Sequence, residues 1–157
     1  MGQVVERLAA LGIVLPKAAA PVANYVGAQN SGALLFVSGQ LPLGPDGKLA
    51  PEFVGKLGAS SKMETAAAAA RQCAINLLAQ AQAAVGDLDR VVQVVRVGGF
   101  FAVDGRFDPL PQAMNGASDL FAAAFGARGR HARTTVGVAY LPLGSIAEVE
   151  ALFEIAP

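Results

Sequence analysis

The sequence predicts an α+β fold in which one β-sheet carries its helices on one face. The elements follow one another as a strand-rich segment, a long helix, a strand, a second helix and two closing strands, an order typical of this class. The chain has 157 residues, which is the size of one domain with its own core. We therefore expect a single domain over residues 1–157.

The first elements are short. Residues 3–11 have the periodicity of an amphipathic helix that Gly12 can end. Residues 23–32 are expected to hold a short strand that ends in a turn, and residues 33–40, ALLFVSGQ, a buried apolar strand.

The longest predicted element is a helix over residues 62–85. Ser61 and Glu64 match a capping box at its start, and Gly86 supplies its end. Cys73 falls on the apolar stripe of this helix, so we expect it to be a small core residue and not a nucleophile.

The second half of the chain contains a strand, a helix and a strand pair. Residues 90–101 are rich in valine and predict a strand, and residues 110–126 predict a helix that stops at Gly126. Residues 133–141 and 147–155 alternate as strands, and the short PLGS connection predicts that they pair with each other.

Side-chain alternation sorts the two faces of these closing strands. The bulky apolar set is expected under the helices: Val136, Val138, Tyr140, Val149, Ala151, Phe153 and Ile155. The other set is small or charged and is expected to meet water or line an interface between copies: Arg133, Thr135, Gly137, Ala139, Glu148, Glu150, Leu152 and Glu154.

Composition limits the function classes. Lys plus Arg and Asp plus Glu both number 12, so no net field attracts nucleic acid. One histidine and one cysteine cannot build a metal cluster, so no metal and no cofactor are expected. No apolar run reaches the ~20 residues that span a bilayer, and no signal layout opens the chain, which predicts a cytoplasmic protein without a membrane partner.

Common catalytic motifs are missing from the sequence, namely the nucleophile elbow, the P-loop and the dinucleotide fingerprint. Hydrolysis of an imine needs neither a metal nor a protein nucleophile, because a protonated imine is already electrophilic. It needs a carboxylate clamp and an acceptor that orients water. Arg133 and Glu148 could fill these two roles.

Four stretches carry a resemblance to a known family: LLFVSGQLPLGPDGKL, GDLDRVVQVVRV, MNGASDLFAAAFG and, above all, HARTTVGVAYLPLGSIAEVEAL. Together they resemble the RidA/YjgF family, often labelled endoribonuclease L-PSP, in a longer and divergent branch. The resemblance implies a chorismate-mutase-like fold with a mixed sheet and two main helices on one face. It also implies a homotrimer with its sheets facing the centre and its sites at the subunit boundaries.

The resemblance further implies site residues. Arg133 matches the arginine that binds the substrate carboxylate, Glu148 the glutamate that acts on the attacking water, and Tyr25 a pocket tyrosine counted with the catalytic residues. Further substrate-binding positions are Asn115, Ser38, Gly39 and Thr135, the last of which stands where many members have cysteine.

Three functions remain open at this point. The first is hydrolytic deamination of enamines and imines such as 2-aminoacrylate, a reaction at C=N bonds. The second is a non-catalytic or regulatory trimer that binds small carboxylates. The third is an endoribonuclease or translation inhibitor, for which His131 beside Arg130 and Arg133 is the supporting feature. Arg96 is expected to be a salt-bridge partner, and Glu150 and Glu154 are expected to pair with nearby arginines.

A geometric conflict follows from the predicted strand pair. In a tight hairpin Arg133 and Glu148 lie about 20 Å apart along the ribbon, too far to share a small substrate. Either the two strands are not hairpin neighbours, or the two residues meet from different subunits.

Overall fold

Five strands form one mixed sheet in the computed structural model, which describes residues 2–157. The strands are β1 (Ala28–Ser31), β2 (Leu34–Gln40), β3 (Val91–Ala102), β4 (Ala132–Val138) and β5 (Ala147–Ile155). The α-helices are α1 (Gln3–Ala10), α2 (Met63–Val85) and α3 (Leu110–Phe125). The sheet order is β1-β2-β5-β3-β4, with β3 and β4 parallel and the other pairs antiparallel. The predicted α+β class is confirmed.

The C-terminal ends of α2 and α3 lie where the sequence predicts them. Gly86 and Gly126 follow α2 and α3 with φ of 80° and 65°, a backbone conformation that glycine adopts at little cost. The predicted capping box at Ser61 is wrong, because Lys62 occupies the N-cap of α2. The Ser61 hydroxyl instead accepts a hydrogen bond from Gly58 N at 2.9 Å, within the preceding turn.

The predicted pairing of the closing strands is also wrong. β5 lies between β2 and β3, whereas β4 is an edge strand that pairs with β3. The connection between β4 and β5 does not turn back on itself but docks on an earlier loop. Gly55 N donates to Gly144 O at 2.8 Å, and Ile146 N donates to Phe53 O at 2.9 Å.

The core lies between the sheet and the two long helices. The inner face of β5 is buried as predicted, through Val149, Ala151, Phe153 and Ile155. Cys73 is fully buried in α2, as predicted. α2 is buried more broadly than a single stripe, because it has the sheet on one side and α3 on another.

The face assignment of β4 is corrected by the structure. Arg133 and Thr135 face α3, whereas Val136 is 39% and Tyr140 68% exposed. The small residues mark the helix side because α3 and its flanking loop approach closely there. A Cβ on Gly137 would lie 2.9 Å from Val103 Cγ2.

The sheet face opposite the helices is called the open face. It presents an apolar and charged surface from four strands: Phe36, Arg96, Phe100, Val136, Glu148, Glu150 and Leu152. Arg96 Nη1 lies 3.2 Å from Glu150 Oε1, which confirms the predicted salt bridge of Arg96. None of the helices within residues 2–157 combines the length and the apolar character that spanning a bilayer requires.

Candidate active site

Arg133 is held against α3 by hydrogen bonds along its guanidinium. Nη1 donates to Asn115 Oδ1 at 2.8 Å and to Ser118 Oγ at 3.2 Å, and Nη2 donates to Pro111 O at 3.0 Å. The structure therefore brings together Arg133 and Asn115, as the sequence predicted. The three acceptors fix the plane of the guanidinium before any ligand arrives.

The Arg133 guanidinium retains donors for a ligand. An arginine has five N–H groups, and three are used by the partners found among the described residues. Two N–H groups therefore remain, and a carboxylate accepts two hydrogen bonds in a paired contact with arginine. Beside the guanidinium is an open cavity of about 460 Å³, whose lining includes Asn115, Ser118, Asp119, Arg130 and His131.

Ser118 is a site residue that the sequence did not single out. It lies three residues after Asn115, on the same face of α3, so helical spacing was the signal that could have found it. Its Oγ lies 2.9 Å from His131 Nε2 and 3.2 Å from Arg133 Nη1. His131 Nδ1 lies 2.7 Å from Gly129 O.

Glu148 lies on the open face of β5, opposite Phe100 on β3. Its carboxylate packs on Gly39, where any Cβ would overlap Glu148 Oε1. Burial raises the pKa of the Glu148 carboxyl above its ordinary value, and the negative charge of Glu150 raises it further. Glu148 is thus a half-buried acceptor with no cation paired to it among the described residues.

Tyr25 and Gly39 line a second cavity, of about 160 Å³, together with Gln40 and Leu143. Tyr25 is 48% exposed and belongs to the segment before β1. Gly39 thus borders both the Tyr25 cavity and the Glu148 carboxylate, and neither Tyr25 nor Glu148 lines the Arg133 cavity.

The remaining predicted substrate-binding residues, Ser38 and Thr135, lie outside the Arg133 cavity. Ser38 Oγ donates to Val26 O at 2.7 Å, and Ser38 lines a concavity of about 480 Å³ on the open face with Arg96 and Glu150. Thr135 Oγ1 is buried beneath α3 and has no hydrogen-bond partner among the described residues. Neither side chain joins the lining of the Arg133 cavity.

Arg133 and Glu148 project from opposite faces of the sheet. Arg133 pairs with Val97 on β3, and Glu148 pairs with Phe100, three positions farther along. With about 3.3 Å per residue and two strand spacings of about 4.8 Å, their Cα atoms lie about 14 Å apart. The strands are not hairpin neighbours, yet within one chain these two side chains still cannot contact one small substrate.

The fold described above agrees with a comparison of the sequence against protein families. The family model described as "YjgF/chorismate_mutase-like, putative endoribonuclease" matches residues 5–155, nearly the whole chain. The chain belongs to the YjgF/RidA family. The chorismate-mutase-like fold expected from the resemblance is thereby confirmed.

Three other proteins are similar to this chain over nearly its full length. Protein TCP17 of Trypanosoma cruzi is 48% identical over 98% of this chain and 95% of its own. Atu1372 of Agrobacterium tumefaciens, solved as a protein "with unknown function", is 42% identical with a TM-score of 0.87, over 98% of this chain and 92% of its own. A "putative endoribonuclease" from Shewanella oneidensis MR-1 is 36% identical with a TM-score of 0.92, over 98% of this chain and 100% of its own.

Proposed function

We propose that this protein hydrolyses small enamines and imines that carry a carboxylate, of the 2-aminoacrylate type, to a 2-keto acid and ammonia. The observation that carries the proposal is the Arg133 guanidinium, which α3 holds in place with two N–H donors to spare. Such a clamp fixes the substrate while water adds to the C=N carbon and nitrogen leaves as ammonia. No metal or protein nucleophile is needed for this step.

The site is completed between protomers of a homotrimer whose sheets face its centre. In support, Arg133 and Glu148 project from opposite sheet faces of one chain, so a substrate that uses both needs two chains. The open face also exposes large apolar side chains, with Phe36 47% and Val136 39% exposed. Surfaces of this kind mark interfaces.

Glu148 is proposed to orient the attacking water. Its ionised carboxylate accepts a hydrogen bond from the water and favours the loss of a proton as the oxygen bonds to carbon. Because the pKa of Glu148 is raised, activity should fall as pH drops through that pKa and the acceptor is lost. Tyr25 lies near Gly39 and Glu148 and is proposed to close the same pocket.

A binding protein without turnover is the second candidate. The observation that favours it is that the Arg133 cavity offers a complete carboxylate site without Glu148. Endoribonuclease activity, which the name of the Shewanella protein states for that protein, is the third candidate for this chain. It rests on the basic group of Arg130, His131 and Arg133 at one cavity.

The test is release of ammonia and pyruvate from enzymatically generated 2-aminoacrylate, with wild type compared to Arg133→Ala. We expect kcat/KM to fall by at least about 10²-fold in the variant, since two hydrogen bonds to a charged group are lost and each contributes about 1.5–3 kcal/mol. The matched control is Arg106→Ala, because Arg106 forms only an exposed ion pair with Asp108 and should leave the rate unchanged.

Other outcomes of these measurements would favour one of the other two candidate functions. No acceleration by folded wild type excludes deamination of this substrate, and a pyruvate-induced rise in Tm that Arg133→Ala abolishes would then favour the binding protein. Cleavage of single-stranded RNA that Arg133→Ala loses would favour the ribonuclease.

A further inference from the structure

The hydrogen bonds around Ser118 run in one direction when His131 is neutral. Gly129 O can only accept, so His131 Nδ1 carries the ring hydrogen and Nε2 is an acceptor. The Ser118 hydroxyl therefore donates to Nε2 at 2.9 Å, while its oxygen accepts from Arg133 Nη1 at 3.2 Å. In this state the single hydrogen of Ser118 points at the histidine and is not offered to a ligand.

Protonation of His131 reverses the direction of its hydrogen bond with Ser118. The imidazolium Nε2 becomes a donor, so Ser118 Oγ accepts from both His131 and Arg133. The hydroxyl hydrogen is then released from the histidine and can be donated to a ligand in the cavity that all three side chains line. The two protonation states thus present different donors to the same cavity.

The charges around His131 favour the neutral state when the cavity is empty. Arg130 and Arg133 line the same cavity, Asp119 of α3 lines it too, and the Phe121 ring packs edge-on against the imidazole at 5.8 Å. Burial lowers the pKa of His131 below its ordinary value and the Arg133 charge lowers it further, against a raising effect of the Gly129 hydrogen bond. An anion beside Arg133 would offset the cationic repulsion.

We propose that a carboxylate bound at Arg133 recruits a proton onto His131, and that the Ser118 hydroxyl thereby becomes a third donor to that carboxylate. The inference rests on the Arg133 clamp of the proposed function but requires no turnover. One proton passes from solvent to His131 Nε2 as the anion enters, and Ser118 keeps its own hydrogen. Ser118 is then a ligand-binding residue, and His131 is a positioning residue that acts through it.

The thermodynamic linkage between proton binding at His131 and carboxylate binding gives the direction in which affinity changes with pH. A group whose pKa is raised by a ligand makes that ligand bind more tightly at lower pH. Carboxylate affinity should therefore increase as pH falls between the pKa of His131 in the bound form and its pKa in the free form. Each unit by which binding raises that pKa corresponds to about tenfold tighter binding at the acidic end.

The experiment is calorimetric titration of the full chain with pyruvate between about pH 5 and 8, in buffers of different ionisation enthalpy. Pyruvate is ionised throughout this range, and His131 is the one histidine of the sequence, so its NMR titration is assigned without ambiguity. For wild type we expect proton uptake on binding and a raised His131 pKa in the presence of pyruvate. His131→Gln, which keeps an amide that can bond Ser118 but does not titrate, should bind with an affinity that depends much less on pH than that of wild type.

Two further variants separate the contributions. Ser118→Ala should bind pyruvate more weakly and with less proton uptake, while Arg106→Ala should retain the pH dependence, because Arg106 forms only an exposed ion pair with Asp108. An unchanged pH dependence in His131→Gln would overturn the inference and leave the Arg133 clamp intact. Pyruvate binding that survives Arg133→Ala, or no binding by wild type at any pH, would overturn the clamp and the inference together.

Discussion

Burial and a neighbouring carboxylate act in the same direction at Glu148. Both disfavour its ionised form, which raises its pKa in the folded protein. The folded state therefore holds a proton on Glu148 at pH values where the unfolded chain has released it. Ionised Glu148 consequently lowers the free energy of unfolding, and this cost is fully present only above the folded-state pKa.

We therefore expect Glu148→Gln to abolish turnover and yet raise Tm at neutral pH. The gain should shrink as pH falls toward the ordinary glutamic acid pKa of about 4.3, where both states of the wild type are protonated. Thermal unfolding of the two proteins as a function of pH checks this. A variant that is less stable than wild type at neutral pH would mean that Glu148 has a stabilising partner in the assembly.

Residue-scale prediction from the sequence was uneven. The resemblance implied that Arg133 and Asn115 are both site residues, and in the structure they form a hydrogen bond of 2.8 Å. Ser118 was missed because a serine inside a helix has no distinctive signal of its own. The pairing of His131 with it depends on how α3 docks beside β4, which no local pattern encodes.

At the scale of elements, α3 is what gives the arginine its position. A Cβ on Gly116 would overlap the backbone oxygen of Ala67, so the two long helices cross with only a hydrogen atom between them there. Asn115 and Ser118 flank this crossing and reach Arg133 from it. The close approach of the helices and the geometry of the clamp are therefore coupled.

Gly116→Ala should lower stability even though alanine is the better helix former. The methyl group meets rigid backbone and forces the helices apart, at a cost of about 1–3 kcal/mol. The measurement is chemical denaturation, with Gln112→Ala as the control because Gln112 is exposed on the same helix. A Gly116→Ala variant as stable as wild type would show that the crossing can relax.

Most helices and strands could be predicted from sequence within one residue, because their periodicity and their glycine ends are local, although β4 ends at Val138, three residues before its predicted end. Which strands pair with each other in the sheet could not be predicted in this way. β4 pairs with β3 through contacts such as Arg133 with Val97, which are far apart in sequence. The face of β4 was misassigned for a related reason, since small side chains marked a tightly packed helix side and not an open one.

At the scale of the whole molecule, the open face should be the trimer interface. Phe36→Glu places a charge on this face, and a charge is costly to bury without a partner. We expect this variant to lose the trimer in sedimentation experiments while its circular dichroism is unchanged. Val14→Glu is the control, because Val14 is 90% exposed and lies outside the sheet. A wild type that sediments as a monomer would contradict the assembly.

The proposed site takes Arg133 from one protomer and Glu148 from another. Arg133→Ala and Glu148→Ala chains, each expected to be inactive alone, can be mixed, unfolded together and reassembled to test this arrangement. In a three-fold ring every mixed trimer regains one intact site, so equal mixing should restore about one quarter of wild-type activity. Activity that stays at the level of the separate variants, while mixed trimers form, would contradict the shared site.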